Sequence, residues 1–385
     1  MIAKRLQAIT GIGLDRVADS AGTDPDVLRL ENLDTEIPIP AVALEETRRA
    51  IVDDDSNSWL PLTGRHELRR AIARRLAAQT GCDYDPGSQI VITCGGMEGL
   101  LDVLLALVDP GSEVVVTDPT YAGMINRVRL AGGEPVFVPF RPVDGTWRLD
   151  LDRLVDAASP RTRALFVMNP SMPSGAVLTA GEWQAVADLC KRHDLWLIYN
   201  AAMERILYDG RAYLHPASLD GMAGRTITVG SASKEYRMIG WKVGWVAGPR
   251  EAMEAVAAVH VYNTADPVGI AQTAVAAALD APGEATDVAA AVEEWQRRRD
   301  LIVEELADFR IIPAAGGWSM LLDVGESGLK SIEASERLLE RGRIAATYMR
   351  DWGQENGDQF VRLVFSNEPL GRLAGIGDRV RAALG

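Results

Sequence analysis

With 385 residues and 47% hydrophobic content, the chain can bury one large core or divide into two domains. A net charge of −14 and an isoelectric point of about 4.9 exclude nucleic acid and anionic membrane as default partners, since both need a basic face. Three cysteines (Cys82, Cys94, Cys190) and four histidines (His66, His193, His215, His260) are too scattered for a disulfide framework or a metal centre, so no metal is expected.

Met1 to Leu14 lacks the apolar core and cleavage pattern of a signal peptide. The best candidate span, Leu100 to Val108, is too short for a bilayer and carries Asp102. A soluble cytoplasmic protein without membrane contact is therefore expected. Residues 1–45 read as an amino-terminal arm, because the prolines of Ile37-Pro38-Ile39-Pro40 hold the backbone extended. Ala43 to Val52 has helical spacing, then a polar loop leads to Trp59-Leu60-Pro61-Leu62-Thr63-Gly64 and a charged amphipathic helix from His66 to about Gln79.

Gln89 to Thr93 reads as a strand, Cys94 to Gly99 as a turn, and Leu100 to Val108 as a helix ended by Asp109-Pro110-Gly111. Strand, glycines and helix start together present free N–H groups to an anion, although most such turns bind nothing. Neither a P-loop nor a dinucleotide fingerprint is present. Further strands are expected at Glu113–Thr117, Ala164–Met168, Leu195–Tyr199 and Thr226–Val229. The alternation with helices up to about residue 247 predicts a mostly parallel sheet sandwiched by helices, an α/β class. Residues 46–285 form this large domain. A long charged helix, Val292 to Phe309, leads into a smaller α+β domain over 286–385 with strands at Ser319–Val324 and Phe360–Ser366. Arg362 inside the second of these apolar strands must be paired or must face a cleft.

After Val229 come Ser231, Ser233 and Lys234, then an apolar, glycine-punctuated run in which Lys242 lies eight residues beyond Lys234. The serines are short donors for anionic oxygens. Desolvation and a neighbouring cation would make Lys234 a nucleophile suited to forming an imine with an aldehyde. The run Ser231-Ala232-Ser233-Lys234 with Lys242 resembles the lysine motif of the class I/II aminotransferases, the fold-type-I pyridoxal-phosphate enzymes related to aspartate aminotransferase. The resemblance extends from about Leu30 to Ser366. It implies pyridoxal 5′-phosphate as cofactor, an α-amino acid as small-molecule substrate, and a homodimer with sites at the interface. It also implies Lys234 as the imine-forming and proton-shuttling residue. Gly96, Met97, Ser231, Ser233 and Lys242 would hold the phosphate, Tyr121 would stack on the ring, and Asn169 would belong to the Asn-Pro motif beside it. Arg362 would grip the substrate carboxylate.

Several family positions are altered. Trp59 stands where a tyrosine reaches across the dimer to the phosphate, so phosphate contact and a plain apolar anchor are both open readings. Met172 and Met203 replace an asparagine and a tyrosine that bond the cofactor's phenolic oxygen. Asn200 replaces the aspartate that faces the pyridine nitrogen, and a neutral amide supports a protonated nitrogen less well. Glu31 sits near a glycine position in the substrate pocket and points to a substrate with a basic side chain. Three readings follow. One is an aminotransferase on an α-amino acid, with a basic amino acid as candidate. The second is elimination, replacement, cyclisation or racemisation on the same imine, and the third is a cofactor-binding protein with a degenerate site.

Overall fold

A computed structural model of the chain describes residues 2–11 and 13–385. Met1 and Ile12, both in the expected arm, lie outside the described residues. The centre of the molecule is an eight-stranded sheet. Its order is Ile90–Thr93, Gly244–Ala247, Thr226–Ser231, Trp196–Asn200, Thr162–Met168, Glu113–Asp118, Glu134–Val143 and Thr146–Leu149. The four pairings from Thr226–Ser231 across to Glu134–Val143 are parallel. Gly244–Ala247 runs antiparallel to both of its neighbours, which leaves Ile90–Thr93 pointing the same way as the parallel strands.

Burial on both faces explains why these strands are continuous apolar runs: Val114, Val115 and Val116 are all buried, as are Leu165 and Phe166. Near the edge the two faces separate cleanly. Val91 and Val246 join one core layer, while Ile90, Ile92, Trp245 and Ala247 join the other. The first layer includes Leu100, Val103 and Leu104 from the helix Gly96–Leu107, and Trp183 and Val186 from Ala180–His193. The second includes Leu68, Ile72 and Leu76 from His66–Thr80, and Ala274 and Val275 from Gly269–Leu279. Ala180–His193 starts on a capping box between Thr179 and Glu182 and ends on Lys191, Arg192 and His193, complementing its dipole.

A second, antiparallel sheet orders Ile311–Ile312, Ser319–Asp323, Phe360–Val364 and Thr347–Tyr348. The amino-terminal segment joins this part of the molecule, because Leu28–Arg29 pairs in parallel with Ile344–Ala345. The expected division points, 45/46 and 285/286, fall inside the helix Ala41–Ile51 and at the start of Glu284–Glu305.

Three elements differ from the sequence reading. Leu14–Ala21 is a helix within the expected arm, because Val17 and Ala21 share one buried face. The helix expected from Leu100 begins at Gly96, where Gly95 makes the turn at φ 77° and Glu98 accepts from the Cys94 N–H at 2.8 Å. The long helix begins at Glu284, eight residues before the expected Val292. Among the described residues no helix is long and apolar enough to cross a membrane.

Candidate active site

The carboxyl ends of the strands converge on one cavity. Met168, Asn200 and Ser231 close three parallel strands, and Tyr121 follows the end of a fourth; all four side chains line it. Open α/β sheets place ligands at this edge. Gly96 and Met97 enter from the first turn of their helix, and Ser233, Lys234 and Lys242 from the loop after Thr226–Ser231. Leu33, Met172, Ala202, Met203 and Ile239 complete an otherwise apolar wall.

One end of the cavity is built for an anion. The helix beginning at Gly96 directs its free amides and positive dipole end there. The approach is tight, since a Cβ on Gly244 would collide with the backbone of Gly95 and Gly96. Ser231 Oγ donates to Ser233 Oγ at 3.0 Å and accepts from the Ser233 N–H at 3.1 Å, which fixes both hydroxyls. Lys242 is exposed, forms no ion pair among the described residues, and holds a left-handed φ of 54° that a lysine adopts only at a cost. Tyr121 is set edge-on to Trp352 at 5.8 Å, in space that exists because residue 123 is glycine: a Cβ there would enter the tyrosine ring.

Lys234 is half-buried, and its Nζ donates to the Leu33 carbonyl at 2.8 Å while lying 4.6 Å from the centre of the Trp318 ring. Burial pulls this amine down from the ordinary lysine value to about 7; Lys242 and Arg362 add to the shift and Asp34 opposes it. A buried network fixes the loop behind it. Arg75 meets Glu235 at 2.7 Å and Glu204 at 3.0 Å, while Arg205 meets Glu235 at 2.8 Å and Glu284 at 2.5 Å. Arg237 reaches Asp287 at 2.6 Å and the Pro38 carbonyl at 2.9 Å.

Arg362 is fully buried. Its guanidinium donates to the Glu31 carbonyl at 2.5 Å and to Thr347 Oγ1 at 3.1 Å, approaches Met172 Sδ at 4.0 Å, and lies 4.7 Å from the Trp352 ring. Its Nε is unpartnered, and no carboxylate pairs with it among the described residues. Burial lowers its pKa to about 10. Arg362 does not itself line the cavity, but Met172, which it approaches, does.

The remaining candidates lie apart from the cavity. Asn169 is buried and accepts from the Leu178 N–H at 2.8 Å, bracing the turn after its strand. Trp59 is 77% exposed on the outer surface. The Glu31 side chain is fully buried beside Arg29, Nη2 to Oε1 2.5 Å, with Oε2 unpartnered. It does not line the cavity.

Residues 29–374 match the family Aminotransferase class I and II. The chain is 30% identical over 367 residues to aromatic-amino-acid aminotransferase 2 of Thermococcus litoralis, covering 95% of this chain and 94% of that one. It is 33% identical to arginine–pyruvate transaminase of Pseudomonas aeruginosa over 90% of its own length and 85% of the relative's. The solved structure of N-succinyldiaminopimelate aminotransferase from Mycobacterium tuberculosis superposes with a TM-score of 0.93, 31% identity and complete coverage of both chains.

The chain belongs to the class I and II aminotransferases.

Members of this family use pyridoxal 5′-phosphate, and the fold is fold type I. The cavity fits that group: a lowered-pKa lysine for its aldehyde, an anion cradle for its phosphate, and an aromatic side chain beside the space for its ring. Two contacts had no signal in local sequence. Leu33 supplies the carbonyl that holds Lys234 across 201 residues of chain, and Trp318 packs over its amine. Spacing also hid the meeting of His260 with Glu98 at 3.0 Å and Asp102 at 3.2 Å, which ties Arg250–Asn263 to Gly96–Leu107.

Proposed function

We propose that this aminotransferase transfers the amino group of an α-amino acid, with Lys234 as its catalytic residue. When bound, pyridoxal phosphate supplies an aldehyde that condenses with amines and a heterocycle that accepts the electron pair left on the substrate carbon. Lys234 would hold the cofactor and would take and return the substrate α-proton at Nζ; a pKa near neutrality suits both directions. Gly96, Met97, Ser231, Ser233 and Lys242 would hold its phosphate. Tyr121 would pack on the ring and Asn200 would face its nitrogen, while Asn169 shapes the adjoining turn. Arg362 holds the substrate carboxylate. The observation that carries the reading is this buried arginine without an acidic partner, adjoining a cavity that contains a neutralisable lysine. The test is a panel of amino acids in single turnover: stoichiometric keto acid released before any acceptor is added supports transfer, and other products contradict it.

The second reading, elimination, replacement, cyclisation or racemisation, is favoured by one feature. No carboxylate lines the cavity among the described residues, and Met172 and Met203 offer no hydroxyl or amide. The same product analysis separates the two.

A basic substrate is supported by the buried, unpartnered Oε2 of Glu31 and by the arginine–pyruvate transaminase among the relatives; Arg29 on Oε1 opposes it. Unchanged discrimination between basic and neutral amino acids in Glu31→Gln would end that idea. We also infer a homodimer. Trp59 and Val268 are exposed on adjoining segments, with Gly269 packed against Ser56 and Leu60, and Val52 and Tyr262 add exposed apolar surface. Three free cysteines suit a reducing cytoplasm, which cell fractionation would check.

A further inference from the structure

Asn200 ends the strand Trp196–Asn200, is 3% exposed, and lines the cavity. Its Oδ1 accepts the backbone N–H of Ala202 at 3.1 Å. That bond fixes the amide, because the reversed orientation would set NH₂ against N–H, donor against donor. Nδ2 is therefore the atom left over, and among the described residues it has no partner. An amide N–H buried beside a ligand needs an acceptor.

The cofactor's chemistry fixes what meets it. The ring nitrogen lies para to the carbon that bears the aldehyde, so a cofactor held at Lys234 would present it to a part of the cavity wall remote from the lysine amine. Among the described residues, Asn200 is the only amide side chain lining the cavity, and no carboxylate lines it. We propose that Asn200 donates through Nδ2 to the pyridine nitrogen of the cofactor and so holds that nitrogen unprotonated. A protonated nitrogen has no lone pair to accept the bond, and its N–H would face a second donor. The ring stays neutral, and the electron pair left on the substrate carbon is drawn into it less strongly than into a charged ring. This proposal rests on the cofactor reading above and adds the protonation state of the site. Asn200 acts here as a residue that sets the cofactor's electronics, through a backbone bond that commits its other atom.

The experiment is ¹⁵N NMR of the holoenzyme reconstituted with cofactor labelled at the ring nitrogen. The expected result is a downfield, unprotonated resonance at neutral pH in the natural protein, and an upfield, protonated one in Asn200→Asp. A protonated resonance in the natural protein overturns the proposal, as does an aspartate variant whose resonance does not move. If that variant fails to fold, the spectrum of the natural protein decides alone. Borohydride trapping on the same sample separates the two levels. Cofactor trapped on Lys234 with a protonated ring overturns only this inference, whereas no cofactor on Lys234 overturns the functional reading beneath it as well.

Discussion

Lys234 and Lys242 lie eight residues apart and have different proposed tasks: one amine to attack, the other to hold an anion. The structure separates them by environment. Lys234 is half-buried with Trp318 over its amine, and burial, with two cations nearby, brings it to about 7; Lys242 stays exposed. A lowered lysine pKa means that the reactive neutral amine is lost as pH falls through about 7, not through the ordinary lysine value of 10.5. The rate of cofactor association with apoprotein should therefore be flat above that pH and fall tenfold per unit below it; stopped-flow absorbance measures this. For Lys242→Ala, the loss of a hydrogen bond to a charged phosphate, about 1.5–3 kcal/mol, predicts cofactor affinity down roughly 10–100-fold with the fold intact. Equilibrium titration at fixed salt checks it. Both lysines were legible because the motif is contiguous. The carbonyl of Leu33 was not, since no local pattern announces a contact formed across 201 residues.

At the scale of elements, the loop that carries Lys234 is held from behind by charges on three separate segments. Arg75 comes from the helix His66–Thr80, Arg205 from the turn after Trp196–Asn200, and Glu284 from the start of the long helix. Burial alone would raise Glu235, but Arg75 and Arg205 outweigh it and hold this carboxylate below its usual range. A depressed acid stabilises the fold above its unfolded pKa, and that contribution is lost as pH falls through the folded value. Arg75→Met should cost about 3–5 kcal/mol, because among the described residues it leaves Glu204 without an ion pair and Glu235 with Arg205 alone. It should also move the acid unfolding midpoint upward, as read by denaturant titration at several pH values. His260 behaves oppositely. Burial lowers it, but Asp102 and Glu98 outweigh that and raise it to about 9. Its contribution is complete below the ordinary histidine value of 6.5 and is lost as pH rises through about 9. Parallel strands such as Glu113–Asp118 were readable as unbroken apolar runs. The helix Leu14–Ala21 was not, because two buried residues in eight make a faint signal beside the prolines that follow.

The whole molecule shows the same division between what composition fixes and what association adds. An α/β fold with a second, smaller sheet follows from strands and helices that alternate and then give way to an antiparallel end. The face proposed for a dimer has no such pattern. Trp59, an apolar residue in a loop, is 77% exposed in the single chain, and Val268 beside it is 53% exposed. If this face is the dimer interface, Trp59→Glu buries a charge at its centre; sedimentation should show the dimer weakened, and cofactor should dissociate faster. An unchanged dimer would place the interface elsewhere. The assigned roles all converge on one amine, so the most direct measurement is borohydride reduction of the holoprotein followed by peptide mapping. A pyridoxyl group on Lys234, within the peptide that also carries Ser231 and Ser233, is the predicted result; a tag on any other side chain, or none, would contradict the account.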